Sequence, residues 1–499
     1  MNLTRSLARA LVSGWIILSC GCAVGPRYQR PSAPVPTAFK EPPPPGWKEA
    51  QPNDGVIRGK WWELYNDPEL NALEEQLIVS NQNVLQAEAQ FHAARDAVRI
   101  ARAALFPVIG AAPSITASRA GSGFGNNSSG QSGTSSTQSG GSSSGVRTNY
   151  NLPFDFSYQV DLWGSIRRSV RQSAETAQAS AAQLENVRLT LQSELAQDYF
   201  QLRGVDGNRD LLEKTVASYG EYLQLTRNRF NGGVASGADV AQAETQLNSA
   251  KEQLIDVGVA RAQFEHAVAV LTGKPPAELT IAFEMPKSLP PPIPIGVPST
   301  LLERRPDIAQ AERQMSAVHE QIGIAQAEFF PALTLTATAG LQASSFLSWF
   351  TWPSRFWSVG AGLSETLFDA GRRRGQVSQA RDVYEAAQAG YRQTVLTAFQ
   401  QVEDNLAASR ILAEEAVATD ATIASAQRSL DISTYQYKAG TANYLQVLLA
   451  QTALLGEQRA ALSVLTRRMV SSVLLIEALG GGWEASRLPT VAELAAKPK

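Results

Sequence analysis

The stretch "AEFFPALTLTATAG", residues 327–340, decides the fold, because the pattern of the chain changes at its proline. Before Pro331 it reads as the end of a helix. After it, Leu333, Leu335 and Ala337 alternate with Thr334, Thr336 and Thr338, the period of a strand with two unlike faces. Proline has no N–H and clashes with the preceding turn, so it enforces the switch. "ARAALFPVIGAAPSITA", residues 101–117, makes the same change 224 positions earlier.

The two switches belong to an internal repeat. Residues 83–107 and 307–331 are identical at ten of 25 positions, including Gln86/Gln310, Glu88/Glu312 and Phe106-Pro107/Phe330-Pro331. Further on the spacing becomes 207: Gly164 matches Gly371, Gly233 matches Gly440, and Gly273 matches Gly480. The difference of 17 residues places an insertion in the first half. Residues 121–145, a Ser/Gly tract without a charge, occupy that interval and lack the side chains to bury a core, so a flexible loop is expected.

Each half has one plan. Asp67 before Pro68 is a favoured helix start, and Asp307 offers the same capping role. The helix runs to its Phe-Pro, two strands follow ("NYNLPFDFSYQVDLW" and "SRFWSVGAGLSETLF" supply the second of each pair), and a long helical stretch comes next. Between Pro153 and Pro275 lie 121 residues without a proline, and between Pro353 and Pro489 lie 135, both rich in strong helix formers. Each is broken once, by "NRFNGGVASGAD" or "QYKAGTANY". The fold class is therefore mixed α/β, mainly α, with a two-fold sequence repeat. The expected segments are 1–21 export signal, 22–60 extended arm, 61–285 first repeat with a hairpin at 108–162, 286–300 Pro-rich connector, 301–482 second repeat with a hairpin at 332–368, and 483–499 tail.

Composition narrows the function. With 44 basic and 46 acidic residues among 499, nothing marks a nucleic-acid partner. Arg5 and Arg9 precede the apolar "ALVSGWIIL", too short to span a bilayer, as in an export signal. Both cysteines follow at once, in "ILSCGCAVGPRY", and none occurs later, which excludes an internal disulfide or a cysteine-based site in the body. A small residue before a cysteine behind such a signal resembles a lipoprotein cleavage site, with Gly21-Cys22 the best fit and Cys20 the alternative. Acyl chains there would hold the chain at a membrane, since each buried CH₂ contributes roughly 0.8 kcal/mol. Ala23, where an Asp resembles an inner-membrane retention signal, favours the outer membrane.

Geometry limits the rest. A 68-residue helix from Ala370 to Tyr437 is about 100 Å long and must pair with neighbours to bury a face. Strands of about ten residues can cross a bilayer tilted. Four strands cannot close a barrel, and open edges are not tolerated in lipid. If the hairpins are embedded, several chains must combine.

The residues resemble the TolC-like outer-membrane factors, in the lipoprotein (NodT/OprM-like) branch that serves efflux pumps. "GCAVGPRYQRP" (21–31), "WWELYNDPELNALEEQ" (61–76), "DLWGSIRRSV" (161–170), "LLERRPDIAQAE" (301–312), "FFPALTLTATAG" (329–340), "LFDAGRRRGQV" (367–377) and "ALGGGW" (478–483) carry the resemblance. It implies a homotrimer in which a 12-stranded outer-membrane β-barrel continues into a 12-helix periplasmic α-barrel, closed at rest by its curled-in periplasmic end. The implied partners are a periplasmic adaptor (membrane fusion) protein, an inner-membrane pump of the resistance-nodulation-division type, and the bilayer. Adaptor docking carries over to the two glycine turns: Gly232, Gly233, Val234, Ala235 and Ser236, and Gly440, Thr441, Ala442, Asn443 and Tyr444. Asp239, Asn443 and Tyr444 are gate candidates, with helix capping the plainer role of Asp239. Ala442 replaces an acidic residue common in the family, which weakens any acidic ring there.

Other functions fall away. Residues 141–145 match G-x-S-x-G only within the Ser/Gly tract, without the strand and helix the motif needs. His319-Glu320 lacks a second histidine, because Gly323 stands in its place, and His92, His266 and His319 make no zinc set. No enzyme, cofactor or metal is expected. Trp349, Phe350, Trp352, Phe356 and Trp357 read either as a membrane-interface girdle or as loop packing, and Arg372, Arg373 and Arg374 as snorkelling side chains or a solvated helix start. The expected function is an outer-membrane exit duct for drugs or small molecules. The alternatives are the same duct in type I protein secretion and, from another class, a non-conducting lipid-anchored coiled coil.

Overall fold

A computed structural model describes residues 24–32, 35–41, 59–119, 146–286, 289–293 and 301–494. Cys20, Cys22, the Ser/Gly tract and most of the Pro-rich connector lie outside the described residues. Seven longer helices and five strands follow in chain order: α1 (Pro68–Ser80), α2 (Gln82–Ala103), β1 (Val108–Ala111), β2 (Ser114–Ser118), β3 (Arg147–Val160), α3 (Ser165–Asn231), α4 (Gly237–Leu271), α5 (Pro306–Ala327), β4 (Ala332–Ala343), β5 (Arg355–Ser364), α6 (Arg372–Ala439) and α7 (Tyr444–Ala478). The long helices α3 and α6 hold 67 and 68 residues, and the returning helices α4 and α7 hold 35 each. Among the described residues no helix is long and apolar enough to cross a membrane.

The local starts and stops have identifiable causes. Asp67 caps α1, its Oδ1 accepting from the N–H groups of Glu69 (3.0 Å) and Leu70 (3.2 Å). The expected single helix from Pro68 to the Phe-Pro is instead two. Asn81 breaks it, capping α2 through Asn83 N–H (2.8 Å) while its amide donates to Leu271 O (2.7 Å). Asp307 is also not the cap of its helix. α5 begins one residue earlier, and the Asp307 carboxylate instead grips Arg305 at 3.0 and 2.6 Å.

The described chain divides into two compact units that cut across the sequence halves. One takes residues up to Tyr28, Asp96–Ala174 and Ala317–Tyr384, and so holds the whole sheet. The other takes Gln29–Arg95, Glu175–Ser316 and Glu385 onward.

In the first unit the sheet is antiparallel in the order β1-β3-β4-β5, with β2 beside β1 on the same flank of β3. The first arm was expected as one strand and is split at Ala112-Pro113, opposite Leu152-Pro153, since Ala111 faces Phe154 and Ser114 faces Asn151. Two prolines therefore meet at a single break in the ladder, where neither N–H is needed.

In the second unit Trp61, Trp62 and Tyr65 are buried beside α1, and Tyr65 Oη meets Ser472 Oγ at 2.7 Å. Arg203 joins this layer to the segment after α4. It donates to Ala282 O (2.6 Å) and Asp206 (3.2 Å), pairs with Glu69, and lies over the Tyr199 ring. Arg261 completes the cluster through Asp206 (2.8 Å) and Ile281 O (2.7 Å).

Glu74 in α1 is fully buried, and neither of its carboxylate oxygens has a partner among the described residues. Burial alone pushes its carboxyl well above the usual range. The folded chain therefore holds a proton there that the unfolded chain releases near pH 4.3, roughly the model-peptide value. The contribution of Glu74 to stability is full below that pH and is lost as pH rises toward the folded-state value. Glu74→Gln should flatten this slope, so that thermal unfolding in detergent finds the variant more stable than the parent at alkaline pH and equal to it near pH 4. An unchanged slope would refute the assignment.

Candidate functional site

The sheet has two chemically distinct faces. Residues directly opposite one another in antiparallel strands share a face. On one face Leu333 stands opposite Val160 and Leu363, Leu335 opposite Tyr158 and Ala361, Ala337 opposite Phe156 and Val359, and Ala339 opposite Phe154 and Trp357. On the other, Thr334 stands opposite Gln159 and Gly362, Thr336 opposite Ser157 and Gly360, and Thr338 opposite Asp155 and Ser358. Thr338 Oγ1 donates to Asp155 at 2.8 Å and Gln342 to Asn149 at 3.2 Å, so the polar face carries its own cross-strand bonds. The apolar face has no cover among the described residues: Trp357 is 78% exposed and Val359 75%. Both flanks of the sheet are unpaired among the described residues, along β1/β2 and along β5.

The aromatic group divides. Trp349 is buried against Tyr150 and Phe350 at ring distances of 5.4 and 5.0 Å, which is loop packing. Phe350, Trp352 and Trp357 stay exposed, and Phe356 faces the polar side opposite Gly340. The three arginines divide likewise. Arg373 is buried, binding Asp369 (2.6 Å), Thr366 O (2.5 Å) and Glu328 O (3.3 Å), whereas Arg372 and Arg374 are exposed.

The two helical turns lie in the second unit and close in the same way. Gly233 (φ 77°) and Gly440 (φ 78°) take the left-handed conformation that costs a residue with a Cβ. Val234 N–H then reaches Arg229 O (2.9 Å), and Thr441 N–H reaches Gln436 O (3.0 Å), which satisfies the last helical carbonyls. Gly232, Gly233, Val234 and Ser236 are exposed and Ala235 is half-buried; Gly440, Thr441 and Asn443 are exposed and Ala442 is half-buried.

Asp239 is spent locally. Its Oδ2 accepts from Ser236 N–H (3.0 Å), and its own N–H donates to Ser236 Oγ (3.2 Å), a reciprocal cap at the start of α4. Tyr444, grouped by sequence with the gate residues, is 1% exposed. Its ring meets Tyr437 at 5.6 Å in a cluster with Leu223, Ala243 and Val447, and burial raises its phenol pKa. It acts within the chain as a core residue, which leaves Asn443 as the exposed one of the two gate candidates at that turn.

Arg229 was not singled out from the sequence. It donates to Lys438 O at 3.0 Å and lies 4.6 Å over the Tyr437 ring, joining the end of α3 to the end of α6. Tyr222–Thr434 (3.0 Å) and Tyr437–Thr226 (3.4 Å) add to the same seam. The nearest sequence signal is that "NRF" and "QYK" sit before matched glycines, which says nothing about their meeting.

Comparison with known proteins agrees with this geometry. Residues 73–274 and 297–481 match the family of outer membrane efflux proteins. The toluene efflux pump outer membrane protein TtgC of Pseudomonas putida is 31% identical over 96% of both chains. The pyoverdine export outer membrane protein OpmQ of Pseudomonas aeruginosa is 30% identical over 96% of this chain and 97% of its own. Among solved structures, the outer membrane protein VceC of Vibrio cholerae superposes with a TM-score of 0.77 at 28% identity, covering 85% of this chain and 99% of that one.

Removing the Arg229 side chain should loosen the second turn without unfolding the helices. Arg229→Ala is expected to speed amide exchange of residues 436–446 about fivefold to tenfold, since a cation–π contact and one charge-assisted hydrogen bond are lost, together on the order of 1 kcal/mol. Hydrogen-exchange mass spectrometry reads this directly, and exchange unchanged at those amides would show that Arg229 does not hold the turn.

Proposed function

The chain belongs to the family of outer membrane efflux proteins, and from that membership we propose that it is the exit channel of a tripartite efflux system. It sits in the outer membrane and passes drugs or other small molecules outward by passive conduction. The observation that carries this reading is the two-faced sheet with both edges open. A polar face against an apolar one is what a barrel strand needs to meet water on one side and lipid on the other. Neither open edge can remain unpaired in hydrocarbon.

The strands have the length to cross, with 14 residues in β3, 12 in β4 and 10 in β5. Three copies pool their arms (β1 with β2, then β3, β4 and β5) into one closed barrel of twelve, above the roughly eight that closure requires. The Thr, Ser, Asn and Gln face lines its lumen. The long helices form the periplasmic duct, acyl chains at Cys22 anchor the N-terminus, and no cofactor or catalytic group takes part. Energy comes from an inner-membrane pump, of the resistance-nodulation-division type, reached through a periplasmic adaptor. The exposed turn residues 232–236 and 440–443 dock that adaptor. Asn443 remains the gate candidate, because Asp239 is held in its cap and Tyr444 in the core.

The face assignment makes two adjacent positions behave in opposite ways. Leu335→Lys puts a charge on the lipid side, at a cost of roughly 2–4 kcal/mol near the bilayer midplane, and should sharply reduce the yield of assembled protein in outer membranes. Thr336→Lys puts the same charge in the lumen, so the protein should assemble normally and show lower cation selectivity in planar-bilayer recordings. Equal assembly of the two variants would reject the assignment. Well-folded protein that carries no current would reject the channel itself.

A further inference from the structure

Just past the second cysteine the chain is held by a device that neither the helices nor the sheet requires. Val24 N–H donates to Trp163 O at 3.1 Å. Arg168, near the start of α3, donates from Nε to Val24 O (2.8 Å) and from Nη2 to Pro26 O (3.2 Å). Its Nη1 pairs with Glu320 of α5 at 2.7 Å, and both side chains are nearly buried, 5% and 9% exposed. One guanidinium thus holds two successive stretches of terminal backbone and a carboxylate.

The slot is shaped for it. Gly25 has φ 109°, and a Cβ there would come within 2.7 Å of Gly323 Cα and 3.0 Å of Arg168 Nη2. A Cβ on Gly323 would overlap the Arg168 side chain. Tyr28 then lies edge-on to His319 at 5.5 Å.

A buried ion pair is weak evidence for stability, because desolvation offsets its attraction. Chain termini usually fray unless something ties them down. The position of the tie suggests its use. Trp163 follows the end of β3, its Nε1 donates to Pro331 O (2.8 Å) just before β4, and its ring stacks on Phe330 at 4.7 Å. Val24 is therefore fastened to the end of the sheet. Two residues of chain reach at most about 7 Å, so an anchor borne two positions before Val24 is tethered closely to the sheet.

We propose that Arg168 is a positioning residue that moors the lipid-bearing N-terminus to the base of the sheet, so that the acyl anchor and the strands engage the bilayer at one level. This rests on the acylation of Cys22 stated above. The mooring works through backbone carbonyls, which explains a demand for arginine geometry at Arg168 and for glycine at Gly25 and Gly323.

The test uses the full-length protein in phosphatidylethanolamine–phosphatidylglycerol vesicles. The two native cysteines both precede residue 23, so one nitroxide introduced at Arg27→Cys reports the arm alone once the Cys22 thiol is acylated. The expected spectrum is immobilised, with tumbling several-fold faster after Gly25→Ala, which unseats the arm and leaves the Arg168–Glu320 pair in place. Arg168→Met with Glu320→Gln should match it. A label already mobile in the parent, or still immobile in well-folded Gly25→Ala protein, overturns the mooring. Intact-mass measurement of the mature protein reports acylation separately: an unmodified Cys22 removes the anchor reading, and the same labelling with Cys20 and Cys22 both replaced by serine then decides whether the arm is held.

Discussion

The unpaired edge of a β-strand has no stable place in hydrocarbon, and the rest of this protein follows from that constraint. The sheet ends on β1/β2 at one flank and on β5 at the other, each with a row of N–H and C=O groups that no strand among the described residues pairs. Each such group left unbonded in lipid costs several kcal/mol. In the assembly proposed above, pairing with further copies would remove that cost and close the sheet at once. The chemistry of the two faces agrees with closure, since the face that would turn outward carries Leu333, Leu335, Val359 and Trp357 and the inner one carries threonines, glycines and serine.

A second theme is where the arginines go. Helices end with carbonyls that lack a partner, and loops leave more of them. Arg203 and Arg261 take those of Ala282 and Ile281, Arg305 takes Ala478 O, and Arg373 takes Thr366 and Glu328. Arg229 does the same at Lys438 and Arg168 at Val24 and Pro26. In each case a guanidinium, which presents several donors in a fixed plane, bridges a helix to irregular backbone or to the end of a second helix, and usually to a carboxylate as well. These bridges hold the connections between elements, whereas packing of small and aliphatic side chains holds the helices to one another.

The turns show the same economy of means at an exposed end. Glycine reverses the chain, the Ser236–Asp239 cap starts the returning helix, and Tyr437 and Tyr444 pack beneath. Val234, Thr441 and Asn443 are among the residues left on the outside, free of any part in holding the helices behind them together.

Much of this was legible in the order of residues. Phe-Pro stops, period-two threonines, proline-free helical runs and glycines at a constant spacing are local signals, because helix breaking, strand alternation and left-handed turns depend on a residue and its near neighbours. They determined the element order, the two-faced hairpins and the positions of both turns. The ladder break opposite Pro153, the burial of Tyr444, the bond from Arg229 to Lys438 and the grip of Arg168 on Val24 were decided only by the tertiary structure. Each joins residues dozens to hundreds of positions apart or depends on which face of a helix meets another. Such meetings arise from packing and long-range register, for which no short window of sequence carries a sign.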